Sequence, residues 1–203
     1  MNFKRFAPAL AGIVLLGGTA AAQAATVTYG NFVDGDGSPA NFDVSATSSS
    51  GNTLTIGVNN FTASGANLSP STLDTFAFTV EAPAGFWITS IEYNEEGSAA
   101  VTNGFALATG SMTADGIPTN LASVLYSQPN SGGTWTLGTG SVAIDKKTQI
   151  SVSTTNSLFA IALAGGTATI SKDLASVEVG LTAIPLPPAF LMLGSALVGL
   201  ATV

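Results

Sequence analysis

The chain has 203 residues, a formal net charge of −7, and neither cysteine nor histidine. Only 8% of its residues are charged, and its five basic residues do not form the clusters that displace counterions from phosphate backbones, so we expect no nucleic-acid partner. The missing residue types exclude disulfides, zinc sites built on Cys or His, and Ser-His-Asp triads.

The first 24 residues have the pattern of a secretory signal peptide. Lys4 and Arg5 precede an apolar run over residues 6–18, which is too short and too rich in glycine to be a spanning helix. The small residues Ala22, Ala24 and Ala25 then form a cleavage site, and we expect the secretion machinery to cut the chain between Ala24 and Ala25. The alternative is an N-terminal anchor that stays on the chain. Cleavage leaves three lysines against twelve acidic residues.

A loop of alternating Asp and Gly follows the first predicted strand. Asp34 and Asp36, joined by Asp43 from the next strand, could surround a hard cation such as calcium, which would be the one cofactor. The spacing is not that of an EF-hand, because Ser45 stands where the loop's final Glu would be. The alternative is a tight turn, since Asp-Gly pairs are also favoured in hairpins.

Alternation of apolar and polar residues with a period of two predicts short β-strands, each with its apolar residues on a buried face. In the run Phe159, Ile161, Leu163 the intervening residues are alanines, and we expect the larger side chains to be inside. Clusters of Gly, Asn, Asp and Pro separate the runs as turns. Residues 118–126 are the stretch where one helical turn would fit. The main runs are 54–58, 76–80, 150–152, 159–163 and 177–181, with weaker runs at 27–33, 42–47, 86–93, 135–137 and 142–144.

About ten short strands predict one all-β domain over residues 25–183, an antiparallel β-sandwich of jelly-roll-like type. The outward positions are mainly Thr, Ser and Asn. Such faces leave strand edges with few of the charges that prevent edge-to-edge pairing, so lateral self-association is one expectation.

Three aromatic residues, Trp87, Tyr93 and Trp135, are candidates for a platform on which sugars stack. The alternative is that the same side chains fill the core. Glu92, Glu95 and Glu96 lie nearby, and glycoside hydrolysis needs only two carboxyl groups. We favour a solvated strand end for Glu95 and Glu96, and we expect no catalysis.

A proline-rich motif separates the predicted domain from an uncharged C-terminal stretch. Three prolines in four residues cannot join a sheet ladder and indicate an extended spacer. As a helix, residues 190–203 would span about 21 Å, less than the ~30 Å of a bilayer core. A plain anchor or a buried terminal strand are the alternatives. The motif consists of Ile184, Pro185, Leu186, Pro187, Pro188 and Ala189.

This motif and the apolar stretch after it resemble the Val-Pro-Leu-Pro-Ala variant of the PEP-CTERM sorting signal. The resemblance implies that residues 184–203 form a sorting or anchoring helix, which contacts the membrane until an exosortase-type enzyme processes it. It also implies a Gram-negative cell envelope, with the protein at the cell surface or in the extracellular matrix. The sequence departs from the family at its end, because no basic cluster precedes Val203.

The expected function is that of a non-enzymatic surface or matrix protein associated with exopolysaccharide or biofilm. A carbohydrate-binding module is the second hypothesis, and a self-assembling fibre subunit is the third.

Overall fold

The computed structural model describes residues 26–35, 42–65, 71–127 and 131–185. The predicted signal peptide, the apolar C-terminal stretch and the sorting motif beyond Pro185 lie outside these residues. In the described part there is no helix long and apolar enough to cross a bilayer.

Thirteen strands account for most of the described residues, where about ten short ones were predicted. Five of them are long, with 11 to 16 residues each. The strands are β1 Thr28–Asp34, β2 Phe42–Ser50, β3 Thr53–Val58, β4 Thr62–Gly65, β5 Ser71–Glu81, β6 Phe86–Val101, β7 Gly104–Ala114, β8 Ile117–Asn120, β9 Val124–Ser127, β10 Ser131–Gly138, β11 Val142–Lys147, β12 Gln149–Ala162 and β13 Ala168–Ala183.

The region considered for a helical turn is extended instead. Residues 117–127 contain β8 and β9, and both pair with the same long strand, β7. The prediction of a turn of helix there is therefore wrong. Its backbone groups find their partners along the ladder of β7, so they have no need of the local hydrogen bonds of a helix.

The strands form two antiparallel sheets, which confirms the all-β prediction. The six-stranded sheet has the order β1-β5-β12-β7-β8, with β9 also paired to β7. The seven-stranded sheet has the order β10-β6-β13-β3-β2, with β11 paired to β6 and β4 to β13. The two sheets are consistent with a β-sandwich.

Aromatic side chains from both sheets meet in the core. The ring centroid of Phe42 on β2 lies 5.4 Å from that of Phe76 on β5 and 5.7 Å from that of Phe61, just before β4. All three are at most 1% exposed. Contacts between rings of opposite sheets hold the sheets face to face, and full burial of each ring contributes about 1.5–3 kcal/mol.

The inner positions at one end of the sandwich are filled by small residues. A Cβ added to Gly65 on β4 would lie 2.6 Å from the carbonyl oxygen of Ala160 on β12, so the two backbones approach closely there. Ala160 is 0% exposed, whereas its neighbours Phe159 and Ile161 face outward. The expectation that these larger side chains are buried is wrong, because the close approach of β4 to β12 leaves room only for alanine at the inward positions 160 and 162.

Candidate functional site

The three aromatic residues predicted as a sugar platform do not share a surface. Tyr93 on β6 is 0% exposed and Trp135 on β10 is 3% exposed, so both belong to the core. Trp135 pairs with Gly97, where an added Cβ would overlap its ring. A sugar cannot reach either aromatic side chain in this fold. Only Trp87 is partly exposed.

A β-bulge explains why Trp87 and Tyr93 face in opposite directions although both are on β6. The register between β6 and β13 shifts at Thr89, and the buried positions on either side of it, Ile88 and Ile91, are three residues apart. An extra residue reverses the alternation of faces along a strand. The ring of Trp87 is also partly covered, since Lys146 Nζ lies 5.2 Å from its centroid.

The predicted calcium ligands are only partly described. Asp34 ends β1, and both of its carboxylate oxygens are buried with no hydrogen-bond partner in the described part of the chain. Asp36 lies outside the described residues, and the side chain of Asp43 is not described. Among the residues that are described, no group of three Asp or Glu side chains could hold a metal. Calcium at this loop stays a prediction.

The three candidate acids do not form a two-carboxylate site. Glu92 is partly exposed and accepts a hydrogen bond from Asn94, and Glu96 is exposed on the same side of β6. Glu95 faces the opposite way and is 1% exposed. The favoured interpretation of Glu95 as a solvated strand end is therefore wrong, because inward alternation on β6 places it in the core.

Glu95 makes an ion pair inside the protein. Its Oε1 lies 2.8 Å from Nζ of Lys172 on the adjacent strand β13, and the two side chains are 1% and 0% exposed. Lys172 pairs across the ladder with Gly97, which puts its side chain on the same face as Glu95, two residues away. Such diagonal positions on neighbouring strands are within reach of long side chains.

Aromatic rings and a second carboxylate surround the lysine. Lys172 Nζ lies 5.0 Å from the ring centroid of Phe42 and 4.8 Å from that of Phe61, and its backbone N–H donates to the carbonyl oxygen of Phe61. Burial lowers the pKa of Lys172 from its usual value to about 8, although the charges of Glu95 and Asp74 oppose that shift. Removing an ammonium from water disfavours its charged form.

The opposite sheet contributes polar groups that face this pair. Asp74 on β5 is 0% exposed, and its two oxygens accept hydrogen bonds from the backbone N–H of Phe42 at 3.1 Å and of Thr75 at 2.6 Å. Its cross-strand neighbour is Asn156, whose Oδ1 accepts a hydrogen bond of 3.4 Å from the hydroxyl of Tyr93. Burial raises the pKa of Tyr93 well above its usual value, and the charge of Glu95 adds to the shift.

A glycine leaves room for these groups. A Cβ added to Gly110 on β7 would lie 2.8 Å from Oδ1 of Asn156 and 3.5 Å from Oε1 of Glu95. We call Asp74, Tyr93, Glu95, Asn156 and Lys172 the buried ionic cluster. The sequence contains a signal for part of it, since Asp74 and Asn156 occupy inward positions of alternating runs that are mostly apolar, but this signal does not indicate which groups meet.

A second feature lies on the outer face of the six-stranded sheet, at the end where small residues fill the core. The rings of Phe105 and Phe159 are 5.8 Å apart, and both are partly exposed. Leu107 pairs with Phe159 on one side and with Leu125, which is 62% exposed, on the other. We call this patch the aromatic surface; it consists of Phe105, Leu107, Leu125, Phe159 and Ile161.

Hydroxyl groups adjoin the aromatic surface. Thr109 and Ser157 pair with each other two residues along from Leu107 and Phe159, so they lie next to the rings on the same face. They line a shallow depression together with Ser111, Asn120 and Thr155. Flat apolar rings beside hydroxyl and amide groups offer a sugar both stacking and hydrogen bonding. The sequence prediction missed this surface because it assigned Phe159 and Ile161 to the core.

The comparisons with known proteins assign no family. No protein-family profile matches the sequence, and no curated protein matches it. One solved structure with some likeness is the enzymatically active domain of tailspike protein 4 from bacteriophage CBA120, at 14% identity and a TM-score of 0.20. The match covers 75% of this chain and 19% of that chain. A likeness at this level carries no argument about fold or function.

Proposed function

We propose that this chain is a non-enzymatic, exported cell-surface or extracellular-matrix protein that contacts polysaccharide through its aromatic surface. The observation that supports this proposal is the pair of partly exposed rings, Phe105 and Phe159, beside a depression lined by hydroxyl groups. Large exposed apolar patches on a protein surface usually mark an interaction site. The rings sit on central strands of the sheet, so they form a rigid platform.

Glycan binding by matched variants tests this function. Exopolysaccharide from the envelope of the producing cells and a glycan array serve as probes. We expect the double substitution Phe105→Ser and Phe159→Ser to abolish binding, because the rings supply the stacking surface. Trp87→Ala is the matched control, since it removes a partly exposed ring elsewhere and should keep binding. Equal binding by the native protein and the double variant would refute the proposal, as would a lack of binding by the native protein to every probe.

The aromatic surface also permits a second function, assembly of copies of this chain into a fibre or layer. The specific observation is that Leu73 and Leu125 are 59% and 62% exposed on the same sheet. Sedimentation at increasing concentration separates the two functions. Assembly that disappears in the Phe105→Ser and Phe159→Ser variant favours the fibre, whereas a monomer at all concentrations argues against it.

Sorting through the C-terminal segment is the second part of the proposal. Its support is the sequence motif at residues 184–189, which follows directly after β13 ends at Ala183. The test is the intact mass and the terminal sequences of the protein isolated from native envelope. A chain that starts at Ala25 and ends near Pro185–Pro188 supports export and processing. An unmodified chain that runs through Val203 would leave only a plain anchor.

A further inference from the structure

An amine and a carboxyl group touch inside the core, and their contacting atoms lack hydrogen bonds in the described part of the chain. Lys172 Nζ and Glu95 Oε1 are 2.8 Å apart, yet neither atom makes a hydrogen bond of good geometry in the described part of the chain. Both side chains are shielded from water, and two aromatic rings flank the nitrogen. Charges in such surroundings are costly unless hydrogen bonds satisfy their remaining donors and acceptors.

This environment favours the reactive form of the amine. Burial lowers the pKa of Lys172 to about 8, so more of its amine is neutral near physiological pH than in an exposed lysine. The neutral amine is the nucleophilic form of lysine, and the carboxyl carbon of Glu95 is the electrophile that it would attack. The contact of Nζ with Oε1 at 2.8 Å places the amine beside the carboxyl group that it would attack, and holding two reacting groups together in this way favours their reaction.

We propose that Lys172 and Glu95 condense to an intramolecular amide that links strands β13 and β6. The Nζ–Cδ bond forms and one Cδ–O bond of the carboxyl group breaks. Two of the three ammonium hydrogens leave on that oxygen as water, and the third stays on the amide nitrogen. The step changes no oxidation state and needs no co-reactant. An ion pair becomes a neutral amide, so the net charge of the pair is zero before and after.

Asp74 is the group that can relay the protons. It faces the pair from the opposite sheet, it is 0% exposed, and its charge acts on Lys172. Its two backbone hydrogen bonds hold the carboxylate in place and its charge acts on Lys172, so it is the group to which we assign proton relay between Nζ and the leaving oxygen. The amide would cross-link two long strands in a chain that has no cysteine for a disulfide.

The test is the mass of the full chain, measured after unfolding and compared with the mass calculated from its own sequenced termini. We expect a deficit of one water molecule. Proteolysis and tandem mass spectrometry should yield a branched peptide that joins Lys172 to Glu95. A succinimide at an Asp-Gly pair has the same deficit but reopens in mild alkali, whereas the amide persists. Full calculated mass in the folded native protein would overturn the proposal, independently of whether the chain binds glycans.

Variants localise the bond. Lys172→Arg should restore the full mass, because guanidinium does not condense. Lys147→Arg, which changes the exposed lysine paired with Asp115, should keep the deficit. Asp74→Asn should leave a fraction at full mass, and a complete deficit there would remove Asp74 from the step. A deficit that persists in Lys172→Arg, a branch to Asp74, or loss of ammonia to Asn156 would refute the assigned bond.

Discussion

Two lysine–carboxylate pairs of this protein have the same chemical groups and opposite surroundings. Lys172 and Glu95 are 2.8 Å apart with side chains that are 0% and 1% exposed, whereas Lys147 and Asp115 are 3.4 Å apart and 49% and 32% exposed. Water and ions screen the second pair and leave it worth about 0–1 kcal/mol. The first pair has no such screening. Removing one partner therefore leaves an unscreened charge in the core, which lowers the free energy of unfolding. Burial, rather than distance, sets the difference between them.

The largest effect is expected from breaking the buried pair on one side. Lys172→Met should lower the free energy of unfolding by about 3–5 kcal/mol, because it leaves Glu95 buried without a counter-charge. Urea unfolding at neutral pH measures the loss. The matched control is Lys147→Met, for which we expect less than about 1 kcal/mol. Equal losses in the two variants would contradict the role assigned to burial.

Removing both partners of the buried pair should cost less than removing one. Lys172→Met combined with Glu95→Leu replaces two buried charges by apolar groups, which is often neutral or stabilising. We therefore expect the double variant to recover most of the roughly 3–5 kcal/mol lost in Lys172→Met, as a double-mutant cycle would report. Incomplete recovery gives the contribution of the proposed amide. A double variant less stable than Lys172→Met would show that the pair does not act through its charge.

The pH dependence of stability separates the free pair from the linked one. Burial lowers the pKa of Lys172 to about 8, so the unfolded chain binds a proton that the folded chain lacks above that pH. In protein of full calculated mass, stability should rise by on the order of 2 kcal/mol from about pH 8 to 10. Linked protein should show no such rise. A flat profile in unlinked protein would contradict the lowered pKa.

Above pH 10 the sign reverses. Burial raises the pKa of Tyr93, and burial with the nearby charge of Glu178 raises that of Tyr29, so the folded chain keeps protons that the unfolded chain releases. Stability should therefore fall as the pH rises beyond 10. Tyr93→Phe should weaken that fall, and urea midpoints between pH 9 and 11 measure it. An unchanged slope would exclude Tyr93 as a source.

The smallest expected effect concerns salt. At low ionic strength Lys147→Met costs less than about 1 kcal/mol, and added salt should reduce that cost toward zero because the pair is exposed. The cost of Lys172→Met should not change, since ions do not reach the pair. Urea midpoints at low and high sodium chloride give both numbers. A salt-sensitive cost at Lys172 would mean that water reaches the cluster.

The candidate sites could be predicted from the sequence less well than the fold. The β-rich pattern around Trp87 and Tyr93 is visible in the sequence, but the bulge at Thr89 that turns them to opposite faces is not, because it depends on the register with β13. In the sequence, Glu95 is one of several neighbouring acidic residues. Only the pairing of β6 with β13 brings Lys172 beside it. No local pattern specifies that contact, since the two residues lie far apart in the chain.

The sequence by itself determined the all-β class, because period-two alternation and turn residues act locally, and it excluded disulfides, because the chain has no cysteine. The apolar residues of the other main runs are buried or partly buried as alternation predicts, whereas in the run 159–163 the tertiary structure decided which face is buried. Phe159 and Ala160 alternate in the same run, yet alanine is inside because β4 approaches β12 closely at that point. Alternation defines two faces of a strand, but the space left by the opposite sheet selects the one that becomes the core.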